Sequence, residues 1–213
     1  MTLVIALRRL ATPSATLLQD LHLSVAPGTV HTVMGASGSG KSSLLSAVCG
    51  TLAEGLVFDG TVTLNGLRID QLPIQARRVG ILFQEDLLFA HMTVRENLLF
   101  AVPAGHKAER EAMVTQGLVD VEMQAFANAD PATLSGGQRA RVALVRALLA
   151  QPLALMLDEP FSKLDTALRQ RMRELVFGLV RQRQIPAILV THDASDVADP
   201  AHQTLLHPHT QPL

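Results

Sequence analysis

The hydrophobic and polar positions divide the chain into short alternating blocks. Residues 3–10 and 21–26 read as short strands, and Ala26-Pro27-Gly28 as a turn before the next one. Thr29–Met34 is a β-branched strand that runs straight into a Gly-rich loop, and Ser42–Cys49 reads as a helix stopped by Gly50. Phe58–Gly66 reads as a strand between two turn dipeptides, Asp59-Gly60 and Asn65-Gly66. Val79–Phe83 is a compact apolar strand ending at Gln84. From 93 to 129 the pattern is helical and more polar, interrupted by Pro103 and Gly105. Gly136–Ala150 is a strong helix with apolar positions at Val142, Leu144, Val145, Leu148 and Leu149. A buried strand at Leu153–Leu157, an exposed Arg- and Gln-rich helix near 166–184 and a buried strand at Ala187–Val190 follow. The tail from His202 to Leu213, rich in breakers, reads as irregular. Alternating strands and helices predict a mostly parallel sheet with helices on both faces. No internal repeat is visible.

Composition narrows the class. The chain has 213 residues, 48% of them hydrophobic, enough for one sizeable α/β core. A formal charge of −1 gives no electrostatic footprint for nucleic acid, so no nucleic-acid partner is expected. The single cysteine, Cys49, excludes an internal disulfide framework and fits a reducing compartment. At the N-terminus an apolar run precedes Arg8 and Arg9, the reverse of a signal peptide. No apolar stretch approaches the roughly 20 residues of a membrane-spanning helix. Any work at a membrane therefore requires recruitment by a partner.

The chemistry lies at the strand ends. Gly35, Ala36, Ser37, Gly38, Ser39, Gly40, Lys41 and Ser42, followed by Ser43, satisfy the phosphate-loop pattern, with a strand before and a helix after. The glycines let backbone N–H groups point at phosphate oxygens, and the helix N-terminus adds a positive dipole end. Lys41 supplies a charge for the β- and γ-phosphates of ATP, and Ser42 a hydroxyl for Mg2+. The strand at 153–157 delivers Asp158 to hold Mg2+ and Glu159 to orient or deprotonate the attacking water. Gln84, also at a strand end, has an amide that can reach both Mg2+ and that water. His192 follows a strand by way of Thr191, which places an imidazole near the γ-phosphate. The run Leu134-Ser135-Gly136-Gly137-Gln138 opens the helix at 136–150 as a second Gly-rich anion cradle.

Taken in order, the phosphate loop, Gln84, Leu134–Gln138, Asp158-Glu159, Ser162-Lys163-Leu164-Asp165 and His192 resemble an ABC transporter ATPase subunit over essentially the whole chain. The resemblance implies an α/β P-loop NTPase (RecA-like) core with an N-terminal antiparallel β subdomain and an inserted helical subdomain. It implies one ATPase domain over 1–213, with 1–83 and 139–213 forming the β subdomain and core, and 84–138 the helical subdomain with the signature. It also implies a head-to-tail dimer in which Ser135, Gly137 and Gln138 of one copy meet the ATP held by the other. Asp165 then belongs to the loop linking the two sites. Residues Gln84–Asn97 resemble the coupling region of importers of the thiamine, iron, sulfate and polyamine type. Leu87, Leu88 and Phe89 are candidates there to receive a short helix of a multi-spanning permease, or are core residues of the helical subdomain. The implied partners are a second copy, that permease and, indirectly, a periplasmic or extracellular binding protein. The implied location is peripheral, at the cytoplasmic face of the cell membrane.

Two competing readings are weaker. DNA-repair ATPases of this kind carry a long coiled coil between Gln84 and the signature, where this chain has about fifty residues without heptads; ribosome-acting ones carry two cassettes. A small-molecule kinase is disfavoured by Glu159 and the signature.

The chain departs from the family in two places. No aromatic residue precedes the phosphate loop, so adenine is left to Leu10, Pro13 or Arg9, with weak base selectivity and a nucleotide grip that depends strongly on dimerisation. Lys163 stands where the family carries a small residue, and could pair across the dimer or slow its closure. No regulatory domain is expected after His192. His202, His207 and His209 read as solvated groups rather than a metal site.

Overall fold

The computed structural model describes residues 1–206. The chain divides into two compact units: 1–81, 153–159 and 177 onward form the first, and 82–152 with 160–176 the second.

The first unit contains two sheets. One is four-stranded and antiparallel, in the order β2-β1-β4-β5, from β1 (Leu3–Ala11), β2 (Thr16–Val25), β4 (Val57–Leu64) and β5 (Leu67–Arg68). The other has the order β6-β7-β8-β3-β9, from β3 (Val30–Gly35), β6 (Val79–Leu82), β7 (Ala154–Asp158), β8 (Ala187–Thr191) and β9 (Gln203–Leu206). Strand β3 pairs in parallel with β8 and β9, and β7 with β8. Helix α1 (Lys41–Cys49) follows β3, and a single turn, α2 (Ile74–Arg77), precedes β6. One apolar core joins Leu3 and Ile5 of β1, Val33 of β3, Leu44 and Leu45 of α1, Met156 of β7 and Ile188 of β8. Each fully buried Leu or Ile in it contributes about 1.5–3 kcal/mol of transfer free energy. Five buried residues in a row in β7, and five in β8, are what a strand covered on both faces requires.

The second unit is helical: α3 (Val94–Ala101), α4 (Lys107–Asp120), α5 (Gly136–Leu149) and the first half of α6 (Thr166–Arg183). Helix α3 opens with a capping box, in which Thr93 accepts from the Glu96 amide and Glu96 accepts from the Thr93 amide.

Four sequence expectations change. Strand β2 begins at Thr16 rather than 21, because the Thr12 hydroxyl accepts from the Ser14 and Ala15 amides and closes a tight β1–β2 connection there. Asn65-Gly66 is the predicted turn, both residues having positive φ, but Asp59-Gly60 lies inside β4 and is not a turn. Gly60 sits opposite the irregularity in β1 between Leu7 and Arg9, and a Cβ on it would come within 2.5 Å of the Ala6 carbonyl oxygen. That irregularity also shifts the phase of β1: Arg8 and Arg9 both face solvent while Leu10 is fully buried. The tail is not irregular from 202, since Gln203–Leu206 pair with Thr32–Gly35 as an edge strand. Finally, α6 is not simply exposed: Met172, Val176 and Val180 form a buried stripe at helical spacing. Residues 207–213, with His207 and His209, lie outside the described part.

Replacing Gly60 with Val is expected to force β1 and β4 apart, lowering stability by roughly 2–3 kcal/mol in denaturant unfolding.

Candidate nucleotide-binding and hydrolysis site

The parallel register places the C-terminal ends of three strands of the first unit side by side. Val33 pairs with Val190 and Met34 with Thr191, while Asp158 pairs with Val190. The loops leaving β3, β7 and β8 therefore emerge at one level, where ligands of open α/β sheets bind.

After β3 the phosphate loop turns through Gly38 and Gly40, at φ 79° and 86°, a left-handed conformation that residues with a Cβ resist. Gly40 is the N-cap of α1 and makes no side-chain cap, and the first turn of α1 has no acidic residue. Its leading N–H groups are thus left for an anion. Ala36, Ser37, Gly38 and Ser42 are exposed, while Ser39 and Lys41 are buried. The Lys41 ammonium donates to the Gly35 and Ala36 carbonyl oxygens at 2.8 Å each, which lays it along the loop.

Asp158 is 6% exposed, and one of its carboxylate oxygens, Oδ1, has no hydrogen-bond partner. Burial is the main cause that raises its pKa, with Glu159 adding to it, while a hydrogen bond from Ser42 and the charge of Lys41 act in the other direction. An orphaned buried carboxylate oxygen next to a Ser hydroxyl is a donor set suited to a hard divalent cation. Glu159 has φ 51°, an unfavourable conformation for a residue with a Cβ, and its amide donates to the Val190 carbonyl at 2.9 Å. Its side chain pairs with His192, whose Nδ1 lies 2.7 Å from Glu159 Oε1. The adjoining loop is fixed by the Thr191 hydroxyl, which donates to Asp196 and accepts from the Asp193 amide.

The second unit carries Gln84, which is exposed, and the run Leu134–Gln138. Ser135 is the N-cap of α5, in a capping box: its hydroxyl accepts from the Gln138 amide at 3.3 Å, and Gln138 Oε1 accepts from the Ser135 amide at 2.8 Å. A cap of this kind occupies the third amide of the helix and leaves those of Gly136 and Gly137 for an anion. The Asp165 carboxylate accepts from the Leu168 amide at 3.1 Å and so caps α6. Lys163 pairs within its own chain, its ammonium donating to Asp86 at 3.3 Å.

Several contributors are invisible in the local pattern. Asn97, fully buried, donates to the carbonyls of Phe89, Met92 and Thr93 and accepts from the Phe89 amide, pinning the segment before α3. Arg146 donates to the carbonyls of Leu87 and Asp86 and lies 5.5 Å from the centre of the Phe89 ring, and burial lowers its pKa. Leu87 is 51% exposed, whereas Leu88 and Phe89 are half-buried and Phe89 meets Phe100 edge-on. In the first unit, Leu10 is removed as an adenine platform by its burial. Arg9, Thr12 and Pro13 instead border an open cavity of about 520 Å3 with Gly55, Val57 and Asp59.

A phosphate loop on a parallel sheet, two carboxylates and a histidine at its strand ends, and a capped Gly-rich helix start define an ATP-binding cassette ATPase. The profile of the ABC transporter family matches residues 18–162, and the chain belongs to that family. It is similar to the uncharacterized ABC transporter ATP-binding protein YnjD of Escherichia coli K12, with 50% identity over 91% of this chain and 89% of that protein. It is 39% identical to the thiamine import ATP-binding protein ThiQ of Jannaschia, over 87% of this chain and 80% of that one. The sulfate/thiosulfate import ATP-binding protein CysA of Bacillus cereus is 41% identical over 85% of this chain, which spans about half (53%) of CysA. Among solved structures, the dimeric post-hydrolysis state of the ATP-binding cassette MJ0796 bound to ADP and Pi superposes with a TM-score of 0.79 at 27% identity, covering 92% of this chain and 90% of that one. Among the described residues no helix is long and apolar enough to cross a membrane.

Because burial raises the Asp158 pKa above its unfolded value, its charge costs stability above the folded pKa, and that cost vanishes as pH falls below the unfolded one. Asp158→Asn should therefore raise the nucleotide-free Tm at neutral pH. The gain should shrink as pH falls through the carboxylate range, while ATP hydrolysis is lost.

Proposed function

We propose that this chain is the ATP-hydrolysing subunit of a membrane importer, and that two copies close head to tail on ATP, drive a permease, then hydrolyse and reopen. The observation that carries the hydrolytic part is Glu159, held at positive φ with His192 Nδ1 at 2.7 Å from its carboxylate. In this reading Glu159 takes a proton from the attacking water, and His192 orients Glu159 and hydrogen-bonds near the γ-phosphate. Gly35–Ser43 hold the triphosphate through backbone N–H groups and Lys41. Asp158 and Ser42 of the first unit would hold Mg2+, which neutralises phosphate charge when bound. The amides of Gly136 and Gly137, with Ser135 and Gln138 shaping that turn, stabilise the γ-phosphate of the partner copy's nucleotide. The regions 1–83, 84–138 and 139–213 act as one ATPase domain.

The dimeric state of MJ0796 with ADP and Pi supports the two-copy reading. The import function in the names of ThiQ and CysA supports transport into the cell. In this reading the chain works at the cytoplasmic face of the membrane with a permease and, indirectly, a binding protein. The permease contact fits the surface around Leu87, and a cavity of about 430 Å3 bordered by His91, Met92, Glu96, Leu99, Phe100 and Arg110. An apolar floor with a 65% exposed Phe100 suits a short amphipathic helix.

Glu159→Gln should retain ATP binding and abolish turnover, so that ATP shifts the chain to dimer in size-exclusion chromatography; a chain that stays monomeric at saturating ATP would contradict closure. Adenine placed against Pro13 and Arg9 has neither an aromatic ring to stack on nor a buried polar partner to read its edge. ATP and GTP should then bind within about tenfold of each other in equilibrium titration, and a gap of orders of magnitude would refute this placement.

A further inference from the structure

Asp86, two residues beyond Gln84, is a junction. Its side chain is only 12% exposed and meets two cations: Arg139 Nε at 3.3 Å from one carboxylate oxygen and Lys163 Nζ at 3.3 Å from the other. Arg139 also donates to the Leu134 carbonyl at 2.6 Å, at the entry to the signature turn. Lys163 lies in the Ser162–Asp165 loop, and its carbonyl is close enough to Gly137 that a Cβ there would come within 3.3 Å of it. On the backbone side, the Asp86 carbonyl accepts from Arg146 of α5 at 3.2 Å. One carboxylate therefore connects three stretches far apart in sequence: the segment after Gln84, the signature turn and the 162–165 loop.

We propose that Asp86 is a positioning residue, whose paired contacts with Arg139 and Lys163 hold the signature turn and the Ser162–Asp165 loop in one arrangement before any partner arrives. The Lys163 ammonium acts inside its own chain. Without the Asp86 charge, Arg139 and Lys163 are two cations with no shared counter-ion, and both loops lose a fixed anchor. Loops ordered in advance bind at lower entropic cost, so the arrangement favours closure on ATP. That last consequence rests on the head-to-tail reading above; the anchoring itself does not.

The test reads the two separately. Amide hydrogen exchange on the nucleotide-free full chain reports the anchoring. Asp86→Asn should accelerate exchange roughly three- to tenfold over both 134–139 and 162–165, the scale of one or two partly exposed ion pairs. Lys163→Met should accelerate only 162–165, Lys163→Arg should restore the parent rates, and the double variant should exchange no faster at 162–165 than Asp86→Asn alone. Unchanged exchange in both loops, or effects of the two single variants that simply add, would overturn the proposal. If Asp86→Asn fails to fold, Lys163→Met decides the matter: parent-like exchange at 162–165 in that variant overturns the anchoring. In the Glu159→Gln background, Asp86→Asn and Lys163→Met should each raise the ATP concentration for half-maximal dimer by roughly three- to tenfold, more weakly at high salt. A Glu159→Gln parent that never dimerises counts against the closure reading alone, since the exchange rates judge the anchoring independently.

Discussion

The parallel ladder among β3, β8 and β7 is the constraint on which the chemistry of the first unit depends. Its register sets Met34 against Thr191 and Asp158 against Val190. The phosphate loop lies more than a hundred residues before the two carboxylates, and His192 lies 33 residues beyond Glu159; only this pairing gives them a common level. A slip of one residue would turn every side chain of a strand to the opposite face. The backbone bond from Glu159 to Val190 extends the ladder one step past the strand and locks the positive φ of Glu159. The strain at that residue is thus supported by the sheet itself, whose β7 and β8 strands are buried along their whole length.

The second unit solves a different problem, the ordering of loops that have no sheet to hold them. It does so with side chains that reach backbone carbonyls. Asn97 ties three carbonyls and one amide ahead of α3, and Arg146 ties two more before the cap of that helix. The result is a segment after Gln84 with a defined shape, in which Leu87 faces outward and Phe89 rests on Phe100.

What the sequence reveals follows from how local each signal is. The phosphate loop, the strands before Asp158 and His192, and the helix after Ser135 each show as a hydrophobic period next to a characteristic polar run, and these are legible from the chain alone. Gly60 misleads because Asp-Gly signals a turn, whereas its meaning comes from the Ala6 carbonyl on a neighbouring strand. Strand β9 escapes the local pattern because its four residues pair only through a partner some 170 positions earlier. The breakers around it dominate that pattern. Lys163 stands out as unusual, yet its partner Asp86 is 77 residues away and no period connects them. Leu10 passes for a surface platform because the irregularity opposite Gly60 that turns it inward leaves no local mark.

The capping box at Ser135 and Gln138 changes how the signature run is to be read as genetic information. The same two side chains that a nucleotide motif requires also set where α5 begins, so the run is under a folding constraint before any ligand is considered. Under the proposed head-to-tail closure, a substitution at Ser135 would therefore report a sum of two losses, a frayed helix start and a disturbed phosphate-binding turn. Only a residue that still caps, such as Asp or Asn, can separate the helix's demand from the ligand's.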